Sequence, residues 1–216
     1  MKNAALIGAA FLLLACTSIP EEPANESAFK QSNPCSILVM PPVNLSPEVS
    51  APITFLATSA YPLAESGYYV IPVALSTEIF RQNGVTVAEE AQAIPTDKLW
   101  EIFGADSALY ISILRFGSSY QVLESVVEAQ ASAKLIDLRN GTLLWSGKVN
   151  VRSGSGSDVS SVEGLVASMI GAAIGQIANS LSNKSFEIGK QANYQLLSAG
   201  KKNSIPYGPY SSKYVP

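Results

Sequence analysis

No histidine occurs among the 216 residues, and there are only two cysteines, Cys16 and Cys35. The lack of histidine removes the usual general base and the Ser–His and Cys–His dyads of nucleophilic catalysis. Together with the scarcity of cysteine it also removes the commonest zinc ligand sets. Charge is sparse too, since Lys, Arg, Asp and Glu make up 14% of the chain and the formal net charge is −3. A basic footprint for nucleic acid or anionic lipid is therefore excluded. The acids are scattered, and the adjacent pair Glu89-Glu90 lies in a polar stretch that reads as solvated surface. No Walker-type or dinucleotide glycine pattern appears. No enzyme, metal or cofactor signal is present, so the reading is of a non-enzyme with no cofactor.

What is abundant is apolar residues, 47% of the chain, enough for a packed core in one domain with tails. The first fifteen residues read as a signal peptide: Lys2 is its positive start, and Ala4 to Leu14 is an unbroken small-and-apolar run. It is too short to span a bilayer as a mature helix. The ending Leu13-Leu14-Ala15-Cys16 resembles a lipobox, which implies cleavage before Cys16 and lipidation of that cysteine. Processing would leave 13 basic and 17 acidic residues, net −4. Thr17 in place of an acid after the cysteine resembles the pattern of outer-membrane lipoproteins. That implies a periplasm-facing, lipid-anchored location, with surface exposure a further option. Residues 16–34 then form a lipidated cysteine and flexible tether. With Cys16 acylated, Cys35 lacks an intrachain partner and reads as a small buried residue at the head of a strand.

Residues 35–185 are the expected periplasmic α/β domain. Ser36-Ile37-Leu38-Val39-Met40 is a continuous apolar run stopped by Pro41-Pro42, as a buried central strand should be. Residues 43–66 hold three prolines and read as a long irregular connection. A helix over 72–83 ends at Asn83-Gly84, a short strand is expected at Val85-Thr86-Val87, and Thr96 caps a helix from Asp97 to Phe103. Strands follow at Ala108–Leu114, Val126–Leu138 and Leu143–Arg152, the last two joined by an Asn140-Gly141 turn. Ser153 to Ser157 reads as a flexible loop. Over 160–182 a long amphipathic helix is expected, with Val162, Val166, Met169, Ile170, Ala173, Ile177 and Leu181 on one stripe. Gly164, Ser168, Gly171 and Gly175 sit opposite, and glycine costs about 1 kcal/mol in a helix interior relative to alanine. That ridge is either the candidate interface for a second copy or a partner helix, or a weakly specified solvent face. Residues 186–216 read as an extended or disordered Tyr/Pro-rich tail.

The fold class is thus α/β, a mixed β-sheet with packed helices plus a long C-terminal amphipathic helix. The strand Ile37 to Met40 before Pro41-Pro42, the sequence Phe103-Gly104-Ala105-Asp106 before a strand, and Asp137-Leu138-Arg139-Asn140-Gly141-Thr142 running on to Trp145 carry a resemblance. They resemble the periplasmic domain shared by the curli-secretion channel lipoprotein CsgG, the penicillin-binding-protein activator LpoB and the TolB N-terminal domain. The lipobox, the VMPPVN segment and STEIFRQNGV are similar to a family of bacterial lipoproteins of neisserial surface-antigen type. The resemblance implies an outer-membrane scaffold or accessory subunit of an envelope transport, secretion or assembly complex. A homodimer or higher oligomer is expected, with other envelope lipoproteins or transport proteins as partners, and the charge balance speaks against nucleic acid. An activator of a cell-wall synthase and a periplasmic small-ligand or lipid carrier are the alternatives.

Overall fold

The computed structural model describes residues 26–121, 124–153, 181–201 and 204–215. Its helices are α1 (Glu26–Ser32), α2 (Ala51–Glu65), α3 (Val73–Gln82), α4 (Ala88–Gln92), α5 (Thr96–Phe103) and α6 (Leu181–Leu197). Its strands are β1 (Ser36–Val39), β2 (Val43–Asn44), β3 (Tyr69–Val70), β4 (Ser107–Gln121), β5 (Glu124–Asp137) and β6 (Leu143–Ser153). The strands form one mixed sheet in the order β3-β1-β4-β5-β6, with β2 also paired to β4. The β3-β1-β4 part is parallel, and β4-β5-β6 is an antiparallel meander. This is the α/β class and mixed sheet expected from the sequence.

Continuous apolar character places β1 inside the sheet, between β3 and β4. Ile37 and Val39 enter one buried layer while Leu38 and Met40 enter the other, as a strand covered on both faces requires. The larger layer lies under α2 and α6. It takes Leu109, Ile111 and Ile113 of β4, Ala129 to Leu135 of β5 on alternate residues, and Trp145 of β6. The smaller layer, with Phe80, Ala91, Leu99, Ala105 and Leu138, lies under α3, α4 and α5. The β4–β5 register shifts between Ile113 and Arg115. One extra residue there reverses the parity of β4, so Phe116 stays buried and Arg115 turns outward.

Several sequence expectations need correction. Residues 43–66 are not irregular, because β2 and the fifteen-residue α2 occupy them. Pro52 falls in the first turn of α2, where its missing N–H would have no helical partner. Pro62 is tolerated near the other end, where it is buried along with Leu63. No strand forms at Val85–Val87. The Val85 amide instead donates to the Phe80 carbonyl, and Val85 packs on the smaller core beside the end of α3. The tether expectation fails at its end, since 26–32 is helical and buries Phe29. The tail expectation fails as well. Residues 186–197 complete α6 with Ile188, Ala192, Leu196 and Leu197 in the core, and Ile205 is fully buried in the strap that follows. Cys35 is a free thiol, but half-buried rather than enclosed. The loop at 154–157 and the helix expected over 160–180 lie outside the described residues.

That strap, residues 204–215, closes the domain on its N-terminal side. Gly208 N donates to the Ser66 carbonyl and Tyr210 N to the Gly67 carbonyl, at 2.8 and 3.1 Å. The Tyr68 hydroxyl donates to the Pro206 carbonyl at 2.6 Å, and the Tyr214 hydroxyl to Asn33 Oδ1 at 2.6 Å.

Candidate interaction surface

Two of the motifs that carry the broad resemblance turn out to be fastenings. Gly104, in the left-handed region at φ 62°, ends α5. Asp106 then turns its carboxylate onto the start of β1, where Oδ2 accepts from the Cys35 amide, the Ser36 amide and the Ser36 hydroxyl at 2.9, 3.0 and 2.9 Å. In the hairpin, Asp137 Oδ1 accepts from the Arg139 amide and Nε, and Oδ2 from Arg139 Nη2 at 2.7 Å. The Ser32 hydroxyl donates to the same Oδ2 at 2.6 Å, and Arg139 Nη2 donates to the Ser32 carbonyl at 2.7 Å. The group therefore ties α1 to the β5–β6 turn. Asn140 and Gly141 shape that turn through the Thr142 amide bond to Asn140 Oδ1 and the φ of 74° at Gly141.

Burial pushes the Asp137 carboxyl up, but the hydrogen bonds from Arg139 and Ser32 outweigh it and hold it below the usual carboxylate range. A folded-state pKa below the unfolded value, about 3.9, stabilises the fold above that pH, and the stabilisation is lost as pH falls through the folded value. Asp137→Asn should therefore cost about 2 kcal/mol at pH 7, the scale of hydrogen bonds to a charged group. The deficit should shrink when urea unfolding is repeated below about pH 3.9. An equal deficit at both pH values would contradict this role.

Among the described residues no cluster of three or more His, Cys, Asp or Glu could hold a metal ion. Likewise no helix among them is long and apolar enough to cross a membrane. The sequence-predicted site residues Cys16, Gly164, Ser168, Gly171 and Gly175 all lie outside the described residues. The structure brings forward a different surface. Helix α2, APITFLATSAYPLAE, contains one charged residue, Glu65. Its inner face buries Ala51, Thr54, Phe55, Ser59, Pro62 and Leu63. Its outer face is apolar as well, with Ile53 73% and Tyr61 66% exposed and Ala57 between them. A helix apolar all round is ordinarily enclosed on all sides.

Alongside it runs α6. Asn193 Nδ2 donates to the Phe55 carbonyl and Thr58 Oγ1, each at 2.7 Å, which ties the two helices together, while its buried Oδ1 accepts from no described residue. A Cβ on Gly189 would meet Phe116 Cε2 at 2.9 Å and also the Thr54 methyl, so glycine there permits the close approach. Thr54 lies against Gly189 and Thr58 against Asn193, so the two helices run parallel. On α6 the residues left exposed include Phe186 and Tyr194, the latter with Lys201 Nζ 5.9 Å from its ring centroid. The signal for this surface was present in the sequence as Ile53, Phe55, Leu56 and Tyr61, but the three prolines hid the helix that sorts them into faces.

The model of a family described as "Putative lipoprotein GNA1162-like" matches residues 24–210. A Neisseria meningitidis serogroup B protein described as "Putative lipoprotein NMB1124/NMB1162" is 44% identical over 210 residues, 97% of this chain and 96% of that one. The crystal structure of lipoprotein GNA1162 from Neisseria meningitidis is 48% identical, with TM-score 0.56, covering 68% of this chain and all of that one. The LpoB C-terminal domain of Escherichia coli is 17% identical, with TM-score 0.40, covering 59% of this chain and 95% of that one. Both the matched residues and the whole-length identity lead to one conclusion: the chain belongs to the GNA1162-like lipoprotein family.

Proposed function

We propose that this protein is a non-enzymatic outer-membrane lipoprotein, anchored through Cys16, whose periplasmic domain is a scaffold or accessory subunit of an envelope transport or assembly complex. The observation that carries the reading is the uncharged outer face of α2 beside Phe186 and Tyr194. Contiguous exposed apolar surface of this kind marks contact sites. The occupant is a second copy of this chain. A two-fold interface must be complementary to itself, and an apolar, aromatic surface meets that demand where a patch of one charge sign would repel itself. The same reading gives the Gly164, Ser168, Gly171 and Gly175 ridge a role as a further contact within the assembly.

Sedimentation of the full chain in detergent tests the arrangement. The unmodified protein should run as a dimer or larger species, and the pair Ile53→Asp and Tyr61→Asp should shift it to monomer with an unchanged far-ultraviolet circular dichroism spectrum. Both side chains point to solvent, so loss of fold is not the expected route to monomer. A monomeric unmodified protein, or a variant that sediments as before, would overturn the α2 interface. Cys16→Ser in the same preparation should leave the membrane fraction while retaining the fold.

A further inference from the structure

On the opposite side of the sheet, the smaller helical layer stops at β4 and leaves a groove of about 410 Å³ against the α4–α5 connection. Its floor is a tile of four side chains from two strands. Tyr110 stands directly opposite Lys134, and Ser112 directly opposite Ser132. Thr96, the first residue of α5, faces them from the wall, and Ile94 and Ile136 supply apolar surface. Gln92 fixes that wall in place, its Nε2 donating to the carbonyls of Pro41 and Ile111 at 2.8 and 3.1 Å.

Many serine and threonine hydroxyls on the ordered elements are engaged, as with Ser36, Thr54, Thr58, Ser66 and Ser107. In the groove, the hydroxyls of Thr96, Tyr110, Ser112 and Ser132 and the ammonium of Lys134 have no side-chain partner among the described residues. Five donor side chains thus line one cleft, and no described residue accepts from them. Burial raises the Tyr110 phenol above its ordinary value, so it remains a donor across the neutral range. On the same face Glu128 is already held by Arg152 at 3.1 Å. Asp97, beside Thr96, is exposed on the outer turn of α5.

We propose that this groove binds a small organic anion, a carboxylate or a phosphate monoester carried on a short apolar body. Lys134 pairs with the charge, the tyrosine and serine hydroxyls donate to its remaining oxygens, and the body lies on Ile94 and Ile136. The volume falls in the lower part of the range that small-molecule pockets occupy, about 300–1,000 Å³.

Saturation-transfer NMR on the full chain in lipid nanodiscs, with empty nanodiscs subtracted, tests the assignment using phenyl phosphate, benzoate and neutral benzyl alcohol. At least one anion should bind, and benzyl alcohol should give no protein-dependent signal. Lys134→Ala should weaken the anion by about tenfold or more, the scale of a charged hydrogen bond, and Tyr110→Phe by a smaller factor. Lys134 is exposed and Tyr110→Phe keeps the ring that packs on the smaller core layer, so circular dichroism should be unchanged. The preferred anion identifies the natural group as carboxylate or phosphate. Absence of saturation transfer to both anions, or undiminished binding in Lys134→Ala, would overturn the site. Sedimentation plays no part in the outcome, so the groove and the α2 interface stand or fall separately.

Discussion

Trp145→Ala should lower stability by about 3–5 kcal/mol, the range for truncating a large buried aromatic. For a chain of this length that corresponds to a melting temperature lower by roughly 6–20 °C. Trp145 is 1% exposed and is the largest fully buried side chain of the domain. Its ring lies over Gly147, two residues on and on the same face of β6, where a Cβ would collide with it. Leu196 of α6 closes the pocket, with its Cδ1 3.3 Å from where that Cβ would stand. The indole therefore fills space that neither the strand nor the helix can recover by moving, and the cavity term adds to the lost transfer energy. Thermal unfolding by far-ultraviolet circular dichroism measures the effect. A drop under 2 °C would mean that α6 collapses onto the strand.

A second large effect is expected at Gly67, for a backbone reason. Its φ is 93°, where a side chain is strained, and a Cβ there would meet Gly208 O at 2.8 Å and also collide with the Ser211 backbone. Left-handed geometry alone costs a non-glycine residue about 1–2 kcal/mol. Releasing the strap would expose Ile205, worth about 2 kcal/mol more by apolar area. Gly67→Ala should therefore cost at least about 3 kcal/mol. It should also make residues 198–215 the first site of limited proteolysis, while the sheet resists. The same substitution at Gly84, which also has a positive φ, 78°, but nothing within 4 Å of its Cβ, should cost only the backbone strain. If protease cuts both variants as slowly as the unmodified chain, the strap is not held through Gly67.

Much of the sheet could be read from the residues because its signals are local. The apolar run before Pro41-Pro42 can only be a strand covered on both sides, and Asn140-Gly141 between alternating segments can only be a hairpin. Three things were out of reach, each for a physical reason. Helix α2 carries Pro52 and Pro62 and few polar residues, so it lacks the one-sided pattern by which a helix is recognised. Packing against β4 and α6 decides its conformation. The C-terminal strap has no period because its bonds run from isolated backbone groups to Ser66 and Gly67, about 140 residues earlier, as with the 138-residue separation of Tyr68 from Pro206. The groove depends on which residues of β4 and β5 face each other, and therefore on the bulge-free part of their register. The Asp106 and Asp137 motifs, by contrast, were visible as patterns, and the structure supplies their meaning as fastenings of β1 and α1.

The strap also constrains when this domain can exist during synthesis. Asn33 and Tyr214 are 181 residues apart, and Phe55 reaches its partner Asn193 across 138. Even the central parallel pair joins Ile37 to Ser107. Contacts of such long sequence separation form late and slowly. An N-terminal portion of the chain on its own has β1 to β4 but neither α6 over the sheet nor the segment that seals its base. For the time it takes to deliver the last residues, the uncharged faces of α2 stand open on both sides, and the growing chain is a natural client for holding chaperones.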